Sequence, residues 1–317
     1  MSAFLQLIDV GKHYKVTSGL LGLKTDAVRA VDGVSLTVSK GETLGLVGES
    51  GCGKSTLAKC VMGLESISSG RIVFQDRDVS DWPEKALRRK MQMIFQDPYS
   101  SLNPRQKIGS IIREGLDIHS IGTRAERRAR VQELLGLVGL RPEHGTRYPH
   151  EFSGGQRQRV AVARTLALDP DLIVCDEPVS ALDVSVQAQI LRLLKTLQTR
   201  LDLTYVFISH DLSVVSHIAD RVAVMYLGRI MEIGPGADIF ATPRHPYTEA
   251  LLSAVLTPDP TRRTERIPLS GELPSPMNPP SGCPFHPRCP KAFERCPQER
   301  PELRETAPGV QVACWLY

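Results

Sequence analysis

One eight-residue stretch, GESGCGKS from Gly48 to Ser55, constrains this chain more than any other. Its G-x-x-x-x-G-K-[ST] spacing is that of a loop that wraps a polyphosphate. Glycines let the backbone approach closely, so that successive N–H groups point inward. Lys54 then supplies a point charge to the β/γ-phosphates, and the Ser55 hydroxyl is placed to ligate Mg²⁺. The setting is the required one: ETLGLV (42–47) predicts a short apolar strand before the loop, and STLAKCVMGL a helix after it. The helix directs its N-terminal dipole at the anion. Gly48, Glu49, Ser50, Gly51, Cys52, Gly53, Lys54, Ser55 and Thr56 are therefore the expected nucleotide-binding residues.

A second acidic element accompanies the loop. LIVCDEP (172–178) predicts a buried strand ending in Asp176, which can hold Mg²⁺ through its water shell. Glu177, the next residue, is the expected general base for a hydrolytic water. Gln96 in MIFQDP is a long polar side chain placed to reach the metal. His210 in ISHD closes another apolar strand at the end of a parallel sheet where ligands bind. FSGGQRQR (152–159) starts a helix, VAVARTLAL, with a hydroxyl and backbone N–H groups at its N-terminus. Alone it reads equally as a helix cap or as a second anion site, and this chain has one phosphate loop.

The remaining pattern is that of an α/β protein. FLQLIDV and VSLTV predict strands separated by a loop around TSGLLGLKTDA, and RVAVMYLGRIMEI predicts a hairpin turning at Leu227-Gly228. Thr123 and Glu126 form a capping-box pattern ahead of RRARVQELLGLVGL. Residues 184–197 put Val186, Ile190, Leu193, Leu194 and Leu197 on one helical face. The cluster Arg124, Arg127, Arg128 and Arg130 reads as a solvated helix face relieved by Glu126 and Glu133. The net charge of +4, from 39 basic and 35 acidic residues, is too balanced to argue for nucleic acid. No apolar run nears the roughly 20 residues that span a bilayer, and MSAFLQLIDVGKHYK lacks the basic start of a signal peptide. The expectation is a cytosolic location, where structural disulfides are rare.

The ordered set GESGCGKST, MIFQDP, FSGGQRQR, LIVCDEP, SALD and ISHD, over residues 48–211, resembles the ATP-binding subunits of ABC transporters. The fold this implies is a P-loop NTPase of ABC type: a mixed sheet core, an antiparallel β subdomain and a helical subdomain at about 97–165. The resemblance further implies head-to-tail pairing with a second, homologous ATPase subunit. Ser153, Gly154, Gly155 and Gln156 would then face the partner's ATP, and Asp183 of SALD would communicate across the interface. His210 would contact the γ-phosphate and help position Glu177, and Tyr14 would stack on adenine.

PRHPYTEALLSA (243–254) and IPLSGELPSPMNPPSGCPFHPRC (267–289), with DPYSSLNPR (97–105), resemble the ATPases of peptide importers, the dipeptide-permease type above all. That implies two transmembrane permease subunits, an extracytoplasmic peptide-binding protein and a peripheral position on the inner face of the membrane. The alternatives are the same machinery importing glutathione, nickel or other solutes, or a soluble ABC ATPase, which usually carries a coiled-coil insertion or a second nucleotide domain.

From Pro258 onward 13 of the 23 prolines fall in 60 residues, so residues 1–257 read as a nucleotide-binding domain and 258–317 as an irregular segment. Four of the seven cysteines, Cys283, Cys289, Cys296 and Cys314, lie in the last 35 residues. Zinc favours shorter C-x₂₋₄-C pairs. Four thiolates suit a [4Fe–4S] cluster, although this spacing is not a ferredoxin run. Free thiols remain the bland reading. Peptide-importer ATPases with this tail carry such a cluster, so the resemblance assigns it to these four, and Cys52, Cys60 and Cys175 to the ATPase core.

Overall fold

The computed structural model describes residues 3–18, 24–97, 101–254, 267–269 and 271–317. They form two compact units, one of Met1–Ser80 with Ile208–Tyr317 and one of Asp81–Phe207.

The first unit opens with β1 (Leu5–Ser18), β2 (Lys24–Val38), β3 (Thr43–Val47), α1 (Lys54–Val61), β4 (Ser69–Phe74) and β5 (Arg77–Asp78). An antiparallel sheet runs in the order β2-β1-β4-β5. The strands are longer than expected: Thr17 pairs with Thr25 and Ser18 with Lys24, within the stretch expected to be a loop. A two-strand ladder needs backbone pairing and β-branched residues more than an alternating apolar face, so composition hid it. Residues 19–23 lie outside the described residues.

The second unit holds α2 (Glu84–Lys90), β6 (Met91–Ile94), α3 (Ile108–Ile118), α4 (Arg124–Leu137), α5 (Gly154–Leu166), β7 (Leu172–Asp176) and α6 (Val184–Leu201). It ends in β8 (Thr204–Ser209), whose last two residues belong to the first unit. The strands run β8-β7-β6, with β6 and β7 parallel. Every residue of β7 and β8 is buried, with apolar runs at 172–175 and 205–208, as in a strand covered on both faces. Thr123 and Glu126 cap α4 reciprocally, as their spacing predicts. The arginine face is neutralised by more acids than expected: Arg127 meets Asp117 at 2.7 Å, and Arg130 bonds both Glu133 and Asp169. On α6, Ile190, Leu194 and Leu197 are buried, while Val186 and Leu193 are half-buried.

The chain then completes the first unit with α7 (Leu212–Ser216), β9 (Arg221–Tyr226), β10 (Arg229–Pro235), α8 (Gly236–Ala241), α9 (Pro246–Ser253), β11 (Arg304–Ala307) and β12 (Val310–Val312). Leu227 and Gly228 turn the β9–β10 hairpin with φ of 42° and 77°, the left-handed pair that matches strand twist. Strands run β11-β12-β10-β9-β3, with β9 parallel to β3. Most of the described part of 258–317 is irregular, yet β12 pairs with β10, Glu232 opposite Val312. Phe285 is fully buried against Tyr226 and Tyr247, with ring centroids 5.4 and 5.3 Å away. The segment therefore has apolar anchors of its own. No helix among the described residues is long and apolar enough to cross a membrane.

Beneath this packing lies a buried polar joint. Glu232 on β10 accepts the N–H groups of Arg244 and His245 at 2.8 and 3.0 Å. His245 Nδ1 accepts the N–H of Tyr247 at 3.0 Å and so caps α9. Burial pushes the Glu232 carboxyl up, and it holds His245 down at about 3. The unfolded chain takes up this histidine's proton below about 6.5, whereas the native chain resists it until about 3. The stability His245 lends is thus complete above the unfolded value and is lost as pH falls toward the folded one. We expect the wild-type chain to lose about 2 kcal/mol more between pH 7 and pH 5 than His245→Asn, which keeps an acceptor for the cap. Urea unfolding midpoints at both pH values measure this, with Glu232 common to the two proteins.

Candidate functional site

The phosphate loop leaves β3 and enters α1. Gly48 and Gly53 are required by close approach as well as by backbone angle. A Cβ on Gly48 (φ +152°) would stand 2.2 Å from the Met225 carbonyl oxygen, and one on Gly53 (φ +107°) 2.1 Å from that of Ala30. Any side chain there would displace the loop from its neighbours. Gly53 is the N-cap of α1 and provides no side-chain cap, so the first turn presents backbone donors.

Lys54 is 4% exposed, and its ammonium donates to the carbonyl oxygens of Gly48 at 2.7 Å and Glu49 at 2.9 Å. Cys52 Sγ is 3.8 Å away, its thiol pushed up by burial. Among the described residues this buried cation is held by neutral acceptors. Such a charge is costly without an anion, so the loop is electrostatically prepared for one. Ser50, Gly51, Ser55 and Thr56 follow the same loop into α1. Tyr14 is half-buried on β1, with the Lys12 ammonium 4.9 Å from its ring centroid.

In the second unit, Asp176 is buried at the end of β7 and Glu177 is half-buried just after it. Glu177 has φ of 47°, an unusual angle for a residue with a side chain and a sign of local strain. Gln96 Nε2 donates to Glu177 Oε2 at 2.8 Å, so these two are brought together. Ser153 Oγ accepts the Gln156 N–H at 3.4 Å, and Gln156 Oε1 accepts the Ser153 N–H at 3.1 Å. The SGGQ stretch is thus a capping box that starts α5, with Gly154 and Gly155 as its first helical residues. Asp183 is the exposed N-cap of α6, without a side-chain bond to that helix. In the first unit, His210 follows β8 and is exposed. Of DPYSSLNPR, residues 98–100 lie outside the described residues.

Two contacts to the loop have no local sequence signal. The Glu49 N–H donates to Tyr247 Oη at 2.9 Å, and Arg288 Nη1 donates to Glu49 Oε2 at 2.9 Å. Tyr247 and Arg288 stand 198 and 239 residues from Glu49, so periodicity and motif spacing could not join them.

Cys283 and Cys296 are buried, Cys289 and Cys314 half-buried. The Cys283 N–H donates to the Cys296 carbonyl at 2.8 Å. Burial raises the Cys283 thiol to about 11, and the nearby charges of Cys314, Cys296 and Cys289 add to the rise. Cys289 and Cys314 are likewise pushed up, first by burial. The four sulfurs share one neighbourhood. Among the described residues, however, no three His, Cys, Asp or Glu side chains stand together as ligands of a single metal ion. A tetrahedral zinc site would hold its sulfurs about 3.8 Å apart, from Zn–S bonds of about 2.3 Å.

Comparison with known proteins agrees with this geometry. Residues 31–180 match the family described as ABC transporter, and residues 231–296 the C-terminal region of oligopeptide/dipeptide transporters. The oligopeptide transport ATP-binding protein AppF of Bacillus subtilis is 54% identical over 99% of this chain and 97% of its own length. The dipeptide transport ATP-binding protein DppF of Haemophilus influenzae is 54% identical over 98% of this chain and 96% of its own. A solved ATP-binding cassette, MJ0796, in a dimeric post-hydrolysis state with ADP and Pi, superposes with a TM-score of 0.64. It is 29% identical and covers 73% of this chain and 98% of that one. With its phosphate loop, its P-loop NTPase fold and full-length relatives of this kind, the chain belongs to the ATP-binding subunits of ABC transporters, in the oligopeptide/dipeptide group.

Proposed function

We propose that this chain hydrolyses ATP to energise uptake of dipeptides or short oligopeptides, working from the cytoplasmic face of the cell membrane. The observation that carries the ATP reading is the buried Lys54 ammonium held by the Gly48 and Glu49 carbonyls in a loop closed against Met225 and Ala30. The peptide reading is supported by the relatives, named for oligopeptide and dipeptide transport, and by the matched C-terminal region. In this reading Lys54 meets the β/γ-phosphates, residues 48–56 cradle them, and Tyr14 stacks on the adenine. Ser55, Asp176 and Gln96 offer the oxygen donors that Mg²⁺ prefers, and Mg²⁺ there would neutralise charge on the transferring phosphoryl group. Glu177 takes the proton of the attacking water, and His210 orients that water against the γ-phosphate.

Ser153, Gly154, Gly155, Gln156 and Asp183 act in trans, on the nucleotide of a homologous second ATPase subunit. Two transmembrane permease subunits and an extracytoplasmic peptide-binding protein complete the assembly. Glu177→Gln keeps the shape of the side chain and removes the base. With the partner's site also disabled, turnover of the assembled transporter should fall by roughly 10²–10⁴ while ATP binding persists. Peptide-stimulated phosphate release in proteoliposomes, read beside nucleotide binding, tests both parts. Near-normal hydrolysis would sink the assignment of Glu177.

The four C-terminal cysteines are proposed to hold a [4Fe–4S] cluster. What supports it is the donor type: four thiols, Cys283, Cys289, Cys296 and Cys314, of which the last three act electrostatically on Cys283. When bound the cluster would tie the four cysteines together within a segment already anchored by Phe285 and β12, with the thiols deprotonated by the metal's charge. Protein purified without oxygen should be brown and contain about four iron and four sulfide per chain. Cys289→Ser should bleach it; colourless protein with one zinc per chain would replace the cluster by zinc.

A further inference from the structure

The ATP reading leaves one arrangement unexplained: a carboxylate stands inside the loop that receives an anionic ligand. Glu49 is the second residue of that loop; its N–H, its carbonyl and one carboxylate oxygen have partners, while Oε1 is buried without one among the described residues. Its N–H donates to Tyr247 Oη at 2.9 Å, and its carbonyl accepts from Lys54 Nζ at 2.9 Å. Its Oε2 accepts from Arg288 Nη1 at 2.9 Å. The Arg288 side chain is 7% exposed and that of Glu49 23%, so this pair is shielded from the screening that weakens surface ion pairs. A bare carboxylate in this place would repel a triphosphate. Paired with Arg288, it is neutral as seen from the ligand, while its backbone carbonyl still holds the Lys54 ammonium.

Arg288 is itself fixed by the segment that carries it. Phe285, three residues earlier, is fully buried in the Tyr226–Tyr247 cluster, and the Arg288 guanidinium lies 5.9 Å from the Tyr226 ring centroid. The Cys283 N–H to Cys296 carbonyl bond closes the turn that contains Arg288, immediately before Cys289. From the other side, β12 ties the end of the segment to β10, and the Ala313 N–H donates to the Met231 carbonyl at 2.8 Å.

We propose that Arg288 is a positioning residue for the nucleotide, cancelling the Glu49 charge within the phosphate loop and, with Tyr247, holding that residue in place. This rests on the ATP reading above. The cysteine-rich segment is then a working part of the nucleotide site, and whatever loosens the turn around Cys289 weakens the hold on ATP.

The test is nucleotide titration of the full chain, with ATP, ADP and AMP at low and high salt. Arg288→Met exposes the carboxylate and should weaken ATP binding by about tenfold at low salt, ADP less and AMP least. The deficit should shrink in high salt. Adding Glu49→Gln removes the exposed charge, so the double variant should recover to within about threefold of wild type. A merely structural role would lower affinity for all three nucleotides alike and give no recovery. That result, or wild-type ATP affinity in Arg288→Met, overturns the proposal. Should Arg288→Met not fold, Glu49→Gln alone decides. It keeps an acceptor for Arg288 and drops the charge, so ATP should bind more tightly relative to AMP, and an unchanged ratio refutes the idea. Lys54→Ala is the control for the reading beneath: if it binds ATP as wild type does, that reading fails and the Arg288 proposal falls with it.

Discussion

The first unit is organised around one buried cation. Keeping the Lys54 ammonium out of water demands several acceptors at short range, and the chain supplies them from the backbone of its own loop, Gly48 and Glu49. Presenting those carbonyls requires a tight loop, and the loop can be tight only because Gly48 and Gly53 let it lie against Met225 on β9 and Ala30 on β2. The parallel β3–β9 pair and the turn at Leu227–Gly228 hold those neighbours in register; the Asp32 N–H bonds the Gly228 carbonyl, and the Gly228 N–H bonds that of Cys52. Arg229 reinforces the same joint with two bonds to Asp32, at 3.0 and 2.8 Å. Loop, strand edge and hairpin thus support one another, each satisfying polar groups that the others leave open.

The second unit follows a different logic. Its strand β7 is a buried apolar run from Leu172 to Cys175 that ends in Asp176, with Glu177 just after it. Strain gathers there as well, in the left-handed backbone of Glu177. The Gln96–Glu177 bond steadies a carboxylate whose backbone is held in an unfavourable region. The SGGQ stretch serves the helix that bears it, through the reciprocal capping box of Ser153 and Gln156. The cap engages the side chains of Ser153 and Gln156, while Gly155 lets the helix start approach Val186, where a Cβ would stand 2.4 Å from Cγ1.

The C-terminal segment shows how an irregular chain becomes part of a domain. Its prolines deny it long regular elements. It compensates with a few strong anchors: the buried ring of Phe285, the β10–β12 pairing, and Trp315, whose ring lies 3.6 Å from the Arg295 guanidinium. Trp315 Nε1 also donates to the Glu299 carbonyl at 3.0 Å. Order therefore comes from tertiary contacts, and the cysteines sit inside a segment already held at both ends.

What the sequence determined by itself was local. The phosphate loop, the β9–β10 turn, the Thr123–Glu126 cap and the buried strands β7 and β8 each depend on residues within a few positions of one another, so spacing and residue type suffice to read them. The outer part of the β1–β2 hairpin was missed because its pairing lies in backbone bonds that composition does not mark. Only the tertiary structure could bring Tyr247 and Arg288 to Glu49, lay β12 on β10 and bury His245 uncharged. Each of these joins residues far apart in the chain, where the close approach is produced by packing of the whole unit and leaves no periodic trace.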